Sequence, residues 1–135
     1  MREPIELRRT RQFAPEKLAP KSRSRLKRLK RDDAAFELVK HVASRRGVKM
    51  LDLVQASRGS DAAAQARQLA MYLIHVLLGR PQDVVGVLFG RQRTSVCHTC
   101  KAVELRRDDP ALEAEIAGIE AILSRTEQGS LRHVA

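Results

Sequence analysis

A chain of 135 residues is long enough for one small domain and a flanking segment, and with no Trp, one Tyr and three Phe its core must be largely aliphatic. The formal net charge of +10 favours an acidic partner such as the phosphates of a nucleic acid. No apolar run is long enough to cross a bilayer and the basic N-terminus lacks the apolar segment of a secretory signal, so we expect a cytoplasmic protein.

The positive charge is concentrated at the N-terminus. Residues 1–31 hold 12 of the 26 basic side chains and 3 of the 16 acidic ones, so this segment carries +9 of the net charge. It contains three prolines and few apolar residues, and we predict a basic arm that is disordered in isolation, although Leu26 and Leu29 would allow a helix over residues 22–31. Such an arm can bind polyphosphate. A membrane surface would also attract it, and a solvated tail needs no partner.

Residues 32–125 predict an all-α bundle of about six helices. Apolar residues recur at helical spacing, caps and breakers separate the segments, and no segment alternates as a strand does. Residues 126–135 are expected to fray. The predicted helices are, in chain order, one between Asp32–Asp33 and Gly47, and then residues 48–56, 62–78, 82–88, 94–107 and 111–125.

Capping residues and buried stripes define these helices. Ser60 or Asp61 is expected to cap the third helix, Gly79 to end it, and Asp109 followed by Pro110 to open the last one. The expected buried positions are Phe36, Val39, Val42 and Ala43; Met50, Leu51 and Val54; Ala66, Leu69, Ala70, Leu73 and Leu77; Val84, Val85 and Leu88; Val96, Cys100 and Val103; and Leu112, Ile116, Ile119 and Leu123.

The fourth and fifth predicted helices carry the functional signal. Gly90 permits a tight turn between them. Opposite its buried stripe the fifth helix presents a polar face with almost no acid, which suits the major groove of DNA. An ordinary solvated helix face would show the same pattern. The polar face consists of Arg93, Thr94, Ser95, His98 and Lys101.

Two sequence blocks resemble the C-terminal DNA-binding domain of the bacterial replication initiator DnaA. They are ARQLAMYL at residues 66–73 and LFGRQRTSVCHTCKAVE at residues 88–104. They are similar to the family's Arg-Gln-x-Ala-Met-Tyr-Leu helix and to its Phe-Gly-Gly-Arg-Asp-His-Thr-Thr-Val-x-His-Ala signature. The likeness runs from about residue 33 to residue 123, and it implies a helix-turn-helix with an extra supporting helix that reads duplex DNA in the major groove.

The resemblance also implies roles for individual residues. Arg67 and Gln68 match a pair that contacts the DNA backbone, although a capping or core-edge role is the alternative for Gln68. Thr94 and Ser95 match two threonines, of which the first reads a base and the second supports binding. His98 matches a histidine that contacts the backbone.

The sequence departs from the family pattern where the family reads bases. Gln92 and Arg93 replace an aspartate and a histidine, one glycine is missing before Arg91, and Arg58 is the nearest substitute for a minor-groove arginine. Because Asp reads cytosine, Arg guanine and Gln adenine, we expect a site other than the DnaA box, or weak binding to that box. The basic arm would replace the minor-groove contact. The candidate DNA-binding residues are Arg58, Arg67, Gln68, Arg91, Gln92, Arg93, Thr94, Ser95, His98 and Lys101.

Neither a cofactor nor catalysis is expected. The sequence contains no GxxxxGK[ST] motif, so we expect neither the ATPase module that precedes this domain in the family nor an initiator motor. Cys97 and Cys100 lack a second pair of metal ligands, and we interpret them as structural cysteines in a reducing compartment.

The predicted function is sequence-specific binding of double-stranded DNA by a transcriptional regulator or a modulator of replication initiation at the nucleoid. The alternative is a protein-interaction module that kept the fold and contacts an initiator or RNA polymerase. RNA binding is disfavoured because the A-form major groove is too narrow for a helix.

Overall fold

The computed structural model describes residues 24–55 and 59–134, with side chains up to residue 125. Arg58 and the predicted arm as far as residue 23 lie outside the described residues. All regular structure in the described part is helical, as predicted. The elements are α1 (24–30), α2 (Asp33–Arg46), α3 (Met50–Leu53), α4 (Asp61–Leu78), α5 (Gln82–Phe89), α6 (Arg93–Leu105), a 3-10 helix (Arg106–Asp108) and α7 (Pro110–Val134).

The predicted caps set the helix boundaries. The Asp32 carboxylate accepts from the N–H of the third residue after it at 3.2 Å and opens α2. Ser60, rather than Asp61, caps α4, since its Oγ accepts from the N–H of the third following residue at 3.1 Å. The Asp109 carboxylate accepts from the N–H of the second residue after it at 3.0 Å and opens α7, which begins at Pro110. Each side chain satisfies an N–H that the first turn of a helix leaves without a backbone partner.

Helix α4 is the central helix of the bundle. It packs against α2, α3, α5 and α6. Because it is enclosed on nearly all sides, the run of residues 69–74 is buried, and not only the single stripe that the periodicity predicts. Tyr72 and Phe89 are the largest fully buried side chains of an otherwise aliphatic core. Most predicted stripe positions are buried as expected, while Phe36, Met50, Leu77 and Leu112 are partly buried against the core.

Two short helices differ from their predictions. Helix α3 occupies Met50–Leu53 and not residues 48–56. A single helical turn buries only one of its side chains here, that of Leu53, while Leu51 is 42% exposed. In α5, Val84 is 38% exposed instead of buried, because Val85, Leu88 and Phe89 form the side of the helix that faces the core.

The structure also differs from the main prediction at both ends of the domain. Residues 24–30 are helical, as the alternative based on Leu26 and Leu29 allowed. Leu29 is completely buried and Leu26 is partly buried against the core, so this part of the predicted arm belongs to the core. Two leucines three residues apart form one apolar face in spite of the basic residues around them. At the other end α7 continues to Val134. No proline interrupts residues 126–134, and a lone glycine costs a helix only about 1 kcal/mol.

Two bidentate ion pairs join separate helices. Arg80 donates through Nε and Nη2 to the Asp32 carboxylate at 2.7 and 2.9 Å, which ties the start of α2 to the residues after α4. The bond from Arg80 lowers the pKa of Asp32 below its ordinary value. Arg46 donates to Glu115 at 2.8 and 2.9 Å and ties α2 to α7. None of the helices in the described ranges is both long and apolar enough to cross a membrane.

Candidate nucleic-acid interface

A tight turn joins α5 to α6. Gly90 has a φ of 65°, in the left-handed region that favours glycine. The N–H of Arg91 donates to the carbonyl of Gly86 at 2.8 Å. A Cβ at Gly86 would lie 2.5 Å from the carbonyl oxygen of Arg91. The two helices can therefore approach this closely only because residue 86 is glycine, and the segment has the predicted helix-turn-helix arrangement.

Helix α6 has one buried and one exposed face, as predicted. Val96, Cys100 and Val103 are buried, and the helix packs against α4 and α5. Its first turn contains no acidic residue, so its positive end and its basic side chains together favour an anion. The exposed residues are Gln92, just before the helix, and Arg93, Thr94, Ser95, His98 and Lys101.

Gln68 lies beside the far end of this helix. It is partly buried, and its Oε1 accepts a hydrogen bond from Nη2 of Arg106 at 3.3 Å. The amide therefore contacts the 3-10 helix that follows α6, which places Gln68 at the edge of the bundle and apart from the N-terminal residues of α6.

The position of Arg67 contradicts the predicted contact of this residue with the DNA backbone. Its side chain is only 5% exposed, and its guanidinium donates to the carbonyls of Leu53 at 2.8 Å and Asp52 at 3.1 Å. The side chain therefore points into the protein and holds the end of α3, where a phosphate of bound DNA cannot reach it. The family pattern gave no sign of this, because the direction of the side chain depends on the end of α3, fourteen residues earlier in the sequence.

Three arginines hold the chain just before residues 56–58. Arg67 takes the carbonyls of residues 52 and 53, Arg25 donates to that of residue 54 at 3.2 Å, and Arg91 donates to that of residue 55 at 3.2 Å. A helix leaves its last carbonyls without partners and carries partial negative charge at that end, so guanidinium groups stabilise it there. Sequence reasoning missed Arg25 because it assigned that residue to a disordered arm.

Arg91 lies at the junction between this cluster and the turn. It is partly buried. Burial, and after it the charge of Arg25, lowers the pKa of Arg91 below its ordinary value. An arginine stays protonated under all physiological conditions, so the two guanidinium groups are adjacent like charges beside the predicted DNA-binding face.

A polar network fixes the C-terminal end of α6. The Tyr72 hydroxyl donates to Glu104 of α6, and Arg107 donates to the Tyr72 oxygen at 3.1 Å. Arg107 also pairs with Glu113 of α7. Burial, and after it the bond to Glu104, raises the pKa of Tyr72. The network holds α6 against α4 and α7.

The two cysteines are close in sequence but differ in burial. Cys97 is partly buried, Cys100 is buried, and both are free thiols. Burial raises the pKa of Cys100, which disfavours the reactive thiolate. No cluster of three or more His, Cys, Asp or Glu side chains that could hold a metal ion occurs among the residues whose positions are described.

Comparisons with known proteins agree with this geometry. A family model described as the bacterial dnaA protein helix-turn-helix matches residues 37–103. The chain is similar to the chromosomal replication initiator protein DnaA of Caulobacter sp. (strain K31), with 36% identity over 104 residues that cover 76% of this chain and 20% of that protein. It is also similar to the DnaA of Rickettsia canadensis (strain McKiel), with 37% identity over 64% of this chain and 19% of the relative. A third relative is DnaA 2 of Chlamydia pneumoniae, with 34% identity over 58% of this chain and 18% of the relative. The chain thus spans about a fifth of the length of these relatives.

Proposed function

Because residues 37–103 form a helix-turn-helix domain of the bacterial DnaA type, we propose that this protein binds double-stranded DNA and recognises a specific sequence. In the bound state α6 enters the major groove, its N-terminal residues face the base edges, and α5 crosses the sugar–phosphate backbone.

One observation carries the proposal. Between residues 93 and 101 every exposed side chain of α6 is polar or basic, while Val96, Cys100 and Val103 fix the opposite face in the core. An exposed face of this composition, held rigidly by its own helix, supports recognition of DNA because base reading needs donors that keep one orientation.

The residues of this face divide by position. Gln92 and Arg93 lie at the N-terminal end of α6 and would read base edges, with Thr94 beside them. Ser95 and His98 would hold phosphates, which position the helix without reading sequence. Since Gln and Arg prefer adenine and guanine, the preferred site differs from one read by the aspartate and histidine of the family.

The test is selection of binding sites from a random pool of duplexes, followed by titration of the recovered site and a scrambled control. Arg93→Ala should lose roughly 1–3 kcal/mol of discrimination between the two duplexes. Arg45→Ala is the matched control, because Arg45 is exposed and lies against Gly118 of α7, on the side of α2 that packs on α7. It should leave discrimination unchanged.

The same experiment separates the alternatives. If the protein enriches no sequence but binds all duplexes, the proposed specificity is wrong and the protein is a general DNA binder. If it ignores duplexes even at low salt, the protein-interaction alternative takes its place, and the partner should still bind when Arg93 and Thr94 are replaced by alanine.

We place this binding in the control of transcription or of replication initiation at the nucleoid. A genome-wide occupancy map distinguishes the two roles, because a transcriptional regulator occupies promoters and a modulator of initiation occupies the origin. Occupancy spread evenly over the chromosome would refute both roles.

A further inference from the structure

The position of Arg25 is the starting point. Its Nε and Cζ lie 2.5 and 2.7 Å from the point that a Cβ on Gly90 would occupy. The guanidinium therefore rests directly on the turn of the helix-turn-helix, two residues before the exposed Gln92. Leu29, which is completely buried, anchors the helix that carries Arg25.

Arg91 brings a second guanidinium to the same place. Arg25 donates to the carbonyl of Val54, and Arg91 donates to that of the next residue, Gln55, each at 3.2 Å. Neighbouring carbonyls thus hold two like charges side by side, and the charge of Arg25 contributes to the lowered pKa of Arg91. A guanidinium has five N–H donors, so the bond of Arg25 to a carbonyl uses only part of its capacity.

A phosphodiester suits this arrangement better than a base edge does. It would relieve the repulsion between the two charges and accept hydrogen bonds from both planar groups. The first helix of a helix-turn-helix crosses the sugar–phosphate backbone, so the turn that directly follows it lies near backbone phosphates.

We infer that Arg25 and Arg91 together bind one phosphate of the DNA backbone at the turn between α5 and α6. The inference rests on the proposed binding of double-stranded DNA and adds a residue from outside the segment that matches the DnaA family. It also assigns α1 to the DNA interface as a docked element.

The test uses the full chain and a labelled random-sequence duplex, titrated between about 50 and 200 mM potassium chloride. Each phosphate contact contributes about 0.9 to the slope of log K against log salt. If the two arginines share one phosphate, Arg25→Met and Arg91→Met should each reduce the slope by less than that amount, and the double variant by about 0.9 in total. Two independent contacts would remove about twice as much, since each would release its own counterions.

Three controls separate the loss of a phosphate contact from a loss of folded structure. Arg25→Lys keeps the charge and should retain the slope, with weaker binding because the planar group is lost. Arg45→Met removes one positive charge from the α7 side of α2 and should leave the slope unchanged. Thermal unfolding of each variant establishes that the comparison is made on folded protein.

The outcomes are distinguishable. A slope that is unchanged in folded Arg25→Met overturns the inference and leaves the proposed function standing. A slope loss in the double variant of about twice 0.9 overturns the shared phosphate, because each arginine would then neutralise a phosphate of its own. Failure of the wild-type protein to bind any duplex at low salt instead refutes the proposed function.

Discussion

Gly86→Ala tests whether the close approach of α5 to the turn determines the geometry of the interface. The new Cβ would lie 2.5 Å from the carbonyl oxygen of Arg91, and the same turn is closed by the 2.8 Å bond from the Arg91 N–H. The two nearest atoms, the carbonyl oxygen and carbonyl carbon of Arg91, belong to the backbone, so the turn itself must move to make room. Overpacking of this kind costs about 1–3 kcal/mol, and we place this case near the upper end because no flexible side chain can give way.

Helix propensity opposes that cost. Alanine is more favourable than glycine inside a helix by about 1 kcal/mol, so the net loss of unfolding free energy should be about 2 kcal/mol. Gly118→Ala is the matched control, since the Cβ there would meet only the guanidinium end of Arg45, which is exposed and can move aside. That variant should be as stable as the wild type or more stable by up to about 1 kcal/mol.

Urea unfolding followed by circular dichroism measures both variants, and titration of duplex DNA measures the consequence for the interface. We expect Gly86→Ala to lower the unfolding midpoint and to weaken DNA binding even where the protein is fully folded, because α6 has shifted relative to α5. If Gly86→Ala and Gly118→Ala change stability by the same amount and in the same direction, the steric account of the turn is wrong.

Three further substitutions test contacts elsewhere in the bundle. Asp32→Asn keeps an N-cap but loses the ion pair with Arg80, and it should lower the unfolding free energy by about 1 kcal/mol at neutral pH. Because the folded pKa of Asp32 is lowered from 3.8, the stabilisation by the ion pair is complete above that value and is lost as the pH falls through the folded pKa. The thermal unfolding of the two proteins should therefore converge at acid pH, and a difference that stays constant with pH would contradict this. Tyr72→Phe removes the hydroxyl between Glu104 and Arg107 and should lower the free energy of urea unfolding by about 1–2 kcal/mol. An unchanged free energy would show that the network does not stabilise the fold. Arg67→Met leaves two carbonyls without their donor and should lower the unfolding free energy by about 2–3 kcal/mol. The salt dependence of DNA binding should stay as in the wild type. A reduced slope of log K against log salt would instead support the phosphate contact that the family pattern implied.

The faces of α6 were predictable because they depend on a local property. Three apolar residues recur at helical spacing and the polar residues fall between them, so burial of Val96 implies exposure of Thr94 and His98. The caps at Asp32, Ser60 and Asp109 were predictable for the same reason, since each bonds to an N–H within three residues.

The arginines were not predictable, because their roles depend on contacts between distant parts of the chain. Arg67 bonds to carbonyls 14 and 15 residues earlier, and Arg25 bonds to one 29 residues later. The local sequence does not determine whether a basic residue on a helix faces solvent and DNA or binds carbonyl groups of the protein. The outcome depends on how the helices pack. The burial of Leu29 was not predicted for a related reason: Leu26 and Leu29 allowed a helix, but five basic residues from 25 to 31 favoured an exposed one.

The contact of Arg25 with both the end of α3 and the turn has a dynamic consequence. Undocking of α1 would release both segments in a single event, although neither is adjacent to α1 in sequence. Their amides should therefore report one common opening free energy in native-state hydrogen exchange. A chain that begins at residue 32 would keep the Asp32 cap and α7 but lack this brace, and the two segments should then open independently.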